Sequence, residues 1–235
     1  PAGSVRASVP ARAADALTAW SLAEDGAISA VGGAWDAQQQ TYTFDVVSGV
    51  TAIARFPFTD VPAGSWYYGA AAYAYNNGLF DGTSPTTFAP NAVMSRAMLV
   101  TVLYRLADEP DVTADNPFTD VPAGQWYTNA VIWAAANGIV SGFGDGTFRP
   151  NAPATRAQAA VMLCGYAKLA GRDTTQRADL SAYADAAEIP SWALAEMQWA
   201  NAAQLIRGRS DTILAPNAGT TRAEMAKILS TFIGK

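Results

Sequence analysis

Apolar residues recur with helical spacing in three segments of this chain. Each segment places them at positions i, i+3, i+4 and i+7, which is the spacing of one buried helix face. The three sets are Leu99, Val102, Leu103 and Leu106; Ala159, Met162, Leu163 and Tyr166; and Met225, Ile228, Leu229 and Phe232. The pattern therefore predicts three equivalent helices, each burying one stripe of side chains.

A shorter helix is predicted ahead of each of these three, opening at a tryptophan. In the first two copies the pairs Asn77-Gly78 and Asn137-Gly138 indicate a left-handed helix end. The third copy has Ala203-Gln204 at the same point. Its helix end is therefore expected to be built differently.

The same short motifs accompany these helices three times. The sequence Phe-Thr-Asp-Val-Pro-Ala-Gly begins at Phe58 and at Phe118, and a diverged copy begins at Tyr183. The tryptophans that follow are Trp66, Trp126 and Trp192. A turn-rich loop then ends in Pro-Asn, and Ser-Arg-Ala or Thr-Arg-Ala comes four residues after each Asn. The chain thus contains three copies of one helix–loop–helix unit.

A single copy of about 50 residues buries too little apolar surface to be stable alone. We therefore expect the copies, at residues 56–110, 116–171 and 180–235, to pack around a common centre. The polar segments between them are long enough to carry each copy round to the next. This favours a pseudo-threefold arrangement over an extended solenoid.

Residues 1–55 carry a different pattern. Tyr42, Phe44 and Val46 alternate with polar neighbours, and β character continues from Val50 to Phe56. Glu24-Asp25-Gly26 predicts a hairpin turn. These few strands would not be stable alone. We expect them to end a β module that lies upstream, and the first residue, Pro1 rather than Met, is typical of a processed or truncated chain. The predicted fold class is mainly α with a short β segment in front.

The composition removes several classes of function. The chain has no histidine and one cysteine, Cys164. The absence of histidine excludes Ser-His-Asp and Cys-His catalysis and every His-ligated metal site. A lone cysteine forms neither an intramolecular disulfide nor a thiolate metal site. Cys164 lies in an apolar helical run and is predicted to be a small buried hydrophobe.

The charge balance further restricts the classes of partner that this chain could bind. The net charge is −5 and no basic run occurs, which argues against DNA or RNA as a partner. No stretch of about 18 apolar residues occurs, so no membrane-spanning segment is predicted. Calcium at Asp145 would need several more oxygen ligands than the loop offers, so we expect neither a metal nor a cofactor.

The recurring arginines Arg96, Arg156 and Arg222 need an explanation beyond helix capping. Thr155 with Gln158 forms a capping-box pattern, but an arginine in the first turn opposes the helix dipole. Each arginine therefore either pairs with a carboxylate of the protein itself or binds an external anion. The internal candidates also recur once per copy: they are Asp60, Asp120 and Asp185.

Two further sets of residues recur, and each has two interpretations. The tryptophans are core anchors by default, or half-exposed platforms for a sugar ring. Gly82, Gly142 and Gly208 follow the first helix of each copy. They either satisfy turn geometry or allow a ligand to approach bare backbone.

The second copy, Phe-x-Asp-Val…Trp…Asn-Gly…Gly-x-Gly-Asp-Gly-Thr-Phe-Arg-Pro-Asn…Thr-Arg-Ala-Gln, resembles the S-layer homology (SLH) domain. Three such copies resemble the cell-wall anchor of bacterial surface proteins over residues 56–235. The resemblance implies a three-pronged spindle with a central helical bundle and grooves between neighbouring repeats. It also implies an extracellular cell-wall location and binding of a secondary cell-wall polysaccharide through pyruvylated amino sugars. Pyruvate supplies the carboxylate that an arginine would meet.

The copies depart unequally from the family signature Thr-Arg-Ala-Glu. The third matches it at Thr221 to Glu224, the second has Gln158 for the acid and the first has Met98. We therefore expect unequal grooves, with Arg156 and Trp126 as the safest site residues. A polysaccharide-hydrolysing enzyme is disfavoured because carboxylates that occur once per repeat suit triplicated binding. A protein-interaction or self-assembly module of a surface layer is the remaining alternative.

Overall fold

The alternating residues at the start of the chain form strands in the computed structural model. The structure describes residues 5–10, 17–22, 28–30, 34–36, 38–39, 41–46 and 50–234. The strands are β1 (Val5–Pro10), β2 (Leu17–Leu22), β3 (Ile28–Ala30), β4 (Ala34–Asp36), β5 (Thr41–Val46) and β6 (Val50–Arg55). They form two antiparallel sheets of order β1-β5-β4 and β3-β2-β6. The hairpin turn predicted at residues 24–26 lies outside the described residues.

All six α-helices lie in the rest of the described chain, and the mainly helical fold confirms the predicted class. The helices are α1 (Tyr68–Asn76), α2 (Arg96–Leu106), α3 (Thr128–Ala136), α4 (Arg156–Leu169), α5 (Leu194–Ala202) and α6 (Arg222–Ile233). Two short 3₁₀ turns, Ala186–Glu188 and Ser191–Ala193, precede α5. The repeats are therefore α1–loop–α2, α3–loop–α4 and α5–loop–α6, as the sequence pattern predicts.

The chain forms two compact units. One comprises residues 1–91 and 223–235, and the other comprises residues 92–222. In the first unit an aromatic cluster joins the repeat opening to α1, with the rings of Phe58 and Tyr75 at 4.8 Å and those of Phe56 and Tyr68 at 5.2 Å. In the second unit the ring centroids of Tyr104 and Trp133 lie 5.4 Å apart.

The helices that follow the loops bury the predicted stripes. Leu103, Leu163 and Leu229, which occupy the same place in α2, α4 and α6, have no exposed surface. Cys164 is also buried, as expected, and burial raises the pKa of its thiol. The α4 start carries the predicted capping box, in which Thr155 and Gln158 each bond the other's backbone N–H.

The short helices begin later than predicted and end more uniformly. Helices α1 and α3 open after Trp66 and Trp126, because those tryptophans lie in the preceding turn. Gly78 and Gly138 take the predicted left-handed conformation. The third helix also ends in this way, on Gln204 at φ +58°. The prediction of a different ending was wrong, since the backbone is kept and a glutamine adopts the strained conformation.

A closed ring of backbone hydrogen bonds joins the three copies within the second unit. The N–H of Met94 donates to Thr220, that of Thr220 to Ala154, and that of Ala154 to Met94, each at 2.9 Å. These residues are equivalent in the three repeats and lie two positions before the recurring arginines. The segments that start α2, α4 and α6 therefore meet with threefold symmetry at the ring, as the repeat pattern predicts.

Candidate functional site

All three recurring arginines are buried although each starts a helix. Arg96, Arg156 and Arg222 retain 5%, 4% and 6% of their exposure. The backbone N–H of Arg96 donates to Ala152, that of Arg156 to Ala218, and that of Arg222 to Ala92. Each helix start is thus fastened to a neighbouring repeat.

The Arg96 side chain reaches into the loop of the second repeat. Its Nε donates to the carbonyl oxygen of Phe148 at 2.8 Å. Its guanidinium carbon lies 4.6 Å from the ring centroid of Phe148 and 4.9 Å from that of Phe143. Within the part of the chain that the structure describes, the terminal nitrogens of Arg96 have no protein acceptor and form no ion pair.

Arg96 lines a cleft of about 440 Å³. The backbone of residues 138–144 lines one side, and Gln158, Val161 and Met162 of α4 line another. Trp192 completes the lining. The cleft thus combines an arginine from the first repeat, a loop from the second and a tryptophan from the third.

Burial is the main influence on the pKa of Arg96, which lines the cleft. Loss of solvent lowers the pKa of Arg96 to about 10, the positive charge of Arg149 acts in the same direction, and Asp120 opposes it. Arg96 therefore remains a cation at neutral pH. Because it lacks a carboxylate partner among the described residues, an anionic ligand would supply the missing interaction.

The recurring aspartates serve the loops. Asp120 accepts hydrogen bonds from the backbone N–H groups of Phe148 and Arg149, both at 2.7 Å. Asp60 and Asp185 do the same in their own repeats. The second residue of each bonded pair has a positive φ, and these residues are Ala89, Arg149 and Ala215. The aspartates therefore stabilise a strained turn, and in the second repeat this turn presents the carbonyl group that Arg96 binds.

Arg156 has a different environment from Arg96. Its Nε donates to Leu214 O at 3.0 Å, and one terminal nitrogen also donates to the carbonyl oxygen of Arg207. Arg156 also helps to keep the pKa of Asp185 below its usual value, although backbone hydrogen bonds from Leu214 contribute most. The third-repeat loop thus supplies acceptors that the second-repeat loop does not supply to Arg96.

The tryptophans are not core residues. Trp66, Trp126 and Trp192 expose 63%, 61% and 57% of their surface. Trp66 and Trp126 pack edge-on against the following tyrosine at 5.2 and 5.1 Å. The indoles of Trp66 and Trp126 are therefore held by their neighbours, while much of the surface of all three tryptophans remains accessible. Of the two interpretations from the sequence, exposure agrees with the platform.

The recurring glycines meet the protein itself. A Cβ on Gly82, Gly142 or Gly208 would overlap the aromatic ring that opens the same repeat, and a loop carbonyl as well. Only Gly142 among these three has a left-handed φ, at +68°. Turn geometry and close packing therefore account for all three, while Gly142 also lines the cleft.

Sequence reasoning did not identify several cleft residues. Phe143 and Met162 line the cleft beside Arg96, yet they are ordinary apolar residues of a loop and a helix. Pairing of Arg96 and Arg156 with the loop of the following repeat was not predicted either. A faint signal existed in Phe143, because an exposed-loop aromatic between two glycines has no obvious core partner.

Comparison with protein families agrees with this arrangement. The S-layer homology domain matches residues 57–97, 117–160 and 182–226, which together exceed half of the chain. The chain belongs to the S-layer homology domain family. The SLH repeats carry every recurring arginine, tryptophan, glycine and aspartate described above, and the three matches fall within the predicted copies.

Relatives include both surface proteins and enzymes. An endoglucanase of Bacillus sp. is 31% identical over 180 residues, which is 77% of this chain and 19% of that protein. The surface-layer 125 kDa protein of Lysinibacillus sphaericus is 34% identical over 159 residues, 66% of this chain and 13% of that protein. The chain therefore spans about a fifth or less of these two relatives.

The SLH repeats define a cell-surface anchoring module that lies at the cell wall or surface. Among the described residues no helix is long and apolar enough to cross a membrane. The described part of the chain also contains no group of three or more metal-ligating side chains. Asp145 is engaged by Thr147 and Arg149, and these hydrogen bonds lower its pKa to about 2.

Proposed function

We propose that this SLH module binds a secondary cell-wall polysaccharide through a carboxylate-bearing sugar held in the Arg96 cleft. The observation that carries the proposal is the buried Arg96, which lines the cleft and whose terminal nitrogens have no protein acceptor among the described residues. A buried cation without an ion-pair partner is costly, and a carboxylate, which accepts two parallel N–H···O bonds, is the anion that best fits a guanidinium.

The other cleft residues suit a sugar that carries such a group. Trp192 offers an exposed indole face to the apolar side of a sugar ring. Val161 and Met162 provide an apolar wall for a methyl group, and Gln158 provides a hydrogen-bonding amide. A pyruvylated amino sugar combines a carboxylate, a methyl group and an amide in one residue, and we propose this as the bound unit.

No catalysis is proposed for these repeats. The recurring carboxylates of Asp60, Asp120 and Asp185 are each occupied by two backbone N–H groups, which suits a loop clamp better than a general acid or nucleophile. The enzymes among the relatives share with this chain only a small fraction of their length. Any catalytic activity of a parent protein would therefore reside elsewhere.

Self-assembly in a surface layer is the competing function. Its support is the exposure of Trp66 and Trp126, which are aromatic residues of the kind enriched at protein interfaces. The two functions differ in their ligand: one needs the wall polymer, and the other needs a second protein.

A sedimentation assay with purified cell-wall sacculi distinguishes them. Sacculi are prepared with and without their secondary polymer, and the protein is mixed with each. We expect binding to intact sacculi and loss of binding after polymer removal. Binding that survives polymer removal would refute the polysaccharide proposal. Concentration-dependent association without sacculi, measured by analytical ultracentrifugation, would support self-assembly.

A further inference from the structure

The third-repeat loop accepts hydrogen bonds from the Arg156 side chain, as a bound anion would accept them from Arg96. We propose that Tyr183 holds this loop in a closed conformation, so that the chain has an open anion site at Arg96 and a self-occupied one at Arg156. This inference rests on the proposed function for its ligand, but the hydrogen bonds that define it lie within the protein.

The two loops can be compared position by position, because they are offset by 66 residues. Ser141, Gly142 and Phe143 of the second repeat correspond to Arg207, Gly208 and Arg209 of the third. Gly142 has a left-handed φ of +68°, whereas Gly208 does not take a left-handed conformation. A change in the sign of φ at such a position turns over the preceding peptide group, as between the two common turn types.

The consequence is a change in what the loop presents to the arginine. In the third repeat the carbonyl oxygen of Arg207 accepts from Arg156. In the second repeat, the only hydrogen bond from the Arg96 side chain to a described residue goes to the carbonyl oxygen of Phe148. The carbonyl group of Ser141 receives none from it. The carbonyl oxygen of Arg207 therefore uses an N–H donor of Arg156 that a ligand carboxylate would need, because both oxygens compete for the same donors.

Tyr183 supplies a contact that the second repeat lacks. Its hydroxyl oxygen accepts the backbone N–H of Gly208 at 3.3 Å and the side-chain amide of Asn201 at 3.3 Å. The corresponding residues of the second repeat, Phe118 and Ala135, offer neither the acceptor nor the amide. The N–H of Gly208 is therefore directed at the tyrosine, and the carbonyl on the same peptide group is directed the other way, toward Arg156.

A second contact fastens the closed loop. Arg209, which stands where the second repeat has the cleft residue Phe143, donates to the carbonyl oxygen of Gly219 at 2.8 Å. Gly219 directly precedes Thr220, which belongs to the closed ring of backbone hydrogen bonds. The third-repeat loop is thus held at both Arg207 and Arg209, and the apolar wall found beside Arg96 is replaced by a tether.

The test is a calorimetric titration with the methyl glycoside of a pyruvylated N-acetylhexosamine, with the unpyruvylated sugar as the negative control. The full chain is expected to bind pyruvylated sugar at Arg96 and not at Arg156. Arg96→Ala should therefore remove one binding site per chain, while Arg156→Ala leaves the number of sites unchanged and the affinity within about twofold. Equal losses from the two substitutions would overturn the proposal.

Tyr183→Phe restores the residue that the second repeat carries and removes the acceptor for Gly208. We expect it to add one binding site per chain. In the Arg96→Ala background this new site should remain, and Arg156→Ala should then remove it. Tyr104→Phe, which deletes a hydroxyl that donates to Pro110 at 2.7 Å, is the matched control and should add no site. An unchanged number of sites in Tyr183→Phe would refute the role of this hydroxyl.

A ligand-free readout separates this inference from the proposed function. Solvent exchange of guanidinium N–H protons, followed by nitrogen-15 NMR, should be slower for Arg156 than for Arg96, and Tyr183→Phe should accelerate it at Arg156. If the sugar does not bind at all while these exchange rates behave as stated, the proposed ligand is wrong and the closed loop stands. Equal exchange at both arginines would refute the closed loop.

Discussion

The loops at residues 139–149 and 205–215 follow the same course in two repeats and meet equivalent arginines in different ways. Both are clamped by an aspartate and both end in a proline, and the arginine of the preceding repeat bonds each one. At Arg96, which lines a cleft, the described loop bonds only Nε, whereas at Arg156 the loop also bonds a terminal nitrogen. A repeated motif therefore fixes the position of the cation, while peptide orientation decides whether the cation is available.

The largest expected contrast is in affinity. Arg96→Ala should weaken binding of sacculi polymer by about 30- to 150-fold, because hydrogen bonds to a charged group contribute about 2–3 kcal/mol. Arg156→Ala should change that affinity little. Competition binding with labelled polymer measures both, and Trp126→Ala serves as a control for loss of an exposed aromatic outside the Arg96 cleft lining. If Arg156→Ala is the more damaging variant, the comparison is reversed.

The second contrast is in stability. Arg156→Ala leaves the carbonyl groups of Leu214 and Arg207 without their donor, so we expect a loss of about 2 kcal/mol in the free energy of unfolding. Arg96→Ala removes one such bond and should cost about half as much. Urea unfolding followed by tryptophan fluorescence gives both values. A larger loss for Arg96→Ala would show that Arg96, and not Arg156, has the structural role.

Acid should test the loop clamps. Backbone hydrogen bonds lower the pKa of Asp185 below the usual 3.8, so its contribution to stability is present above that value and is lost as the pH falls through the lower folded-state pKa. We expect Asp185→Asn to cost about 1 kcal/mol at neutral pH and to flatten the decline of unfolding free energy below pH 3.8. Denaturant melts at a series of pH values measure this slope. A slope identical to that of the unmodified chain would contradict the clamp.

The smallest effect concerns the helix ends that differ between the repeats. Gln204→Gly should stabilise the chain by about 0.5–1 kcal/mol, because a left-handed φ of +58° strains a residue with a Cβ. Gly138→Gln should destabilise by a similar amount, since Gly138 has φ +68°. Thermal unfolding measures both changes. Destabilisation by Gln204→Gly would mean that the glutamine side chain, which bonds Asn201 O at 3.1 Å, outweighs the strain.

Much of the fold could be predicted because the repeats supplied the same signals three times. The buried faces of α2, α4 and α6 and the capping box at Thr155 follow from spacing, which depends on residues one or two helical turns apart. The late start of α1 and α3 and the left-handed Gln204 were missed. Each depends on how a turn packs against the rest of its repeat, which local propensity does not encode.

The sequence predicts the residue types of the candidate site but not which copy contributes which residue to one cleft. With grooves between neighbouring repeats implied by the family resemblance, the sequence marks Arg96, Trp192 and Gly142 as recurring residues. It favours Arg156 and Trp126 as the site, whereas the structure places Arg96 and Trp192 at the described cleft. The aspartates were the candidate internal partners of the arginines under one of the two interpretations, and in the structure they accept hydrogen bonds from backbone N–H groups.

The sequence alone therefore determines the three-repeat organisation, the family and the identity of the cation at each helix start, because these depend on short-range patterns that recur. Only the tertiary structure decides which arginine faces open space. That outcome depends on contacts such as Tyr183 with Gly208, 25 residues apart, and Arg156 with Leu214, 58 residues apart. Hydrogen-bond geometry over such separations is set by packing, and no local pattern carries it.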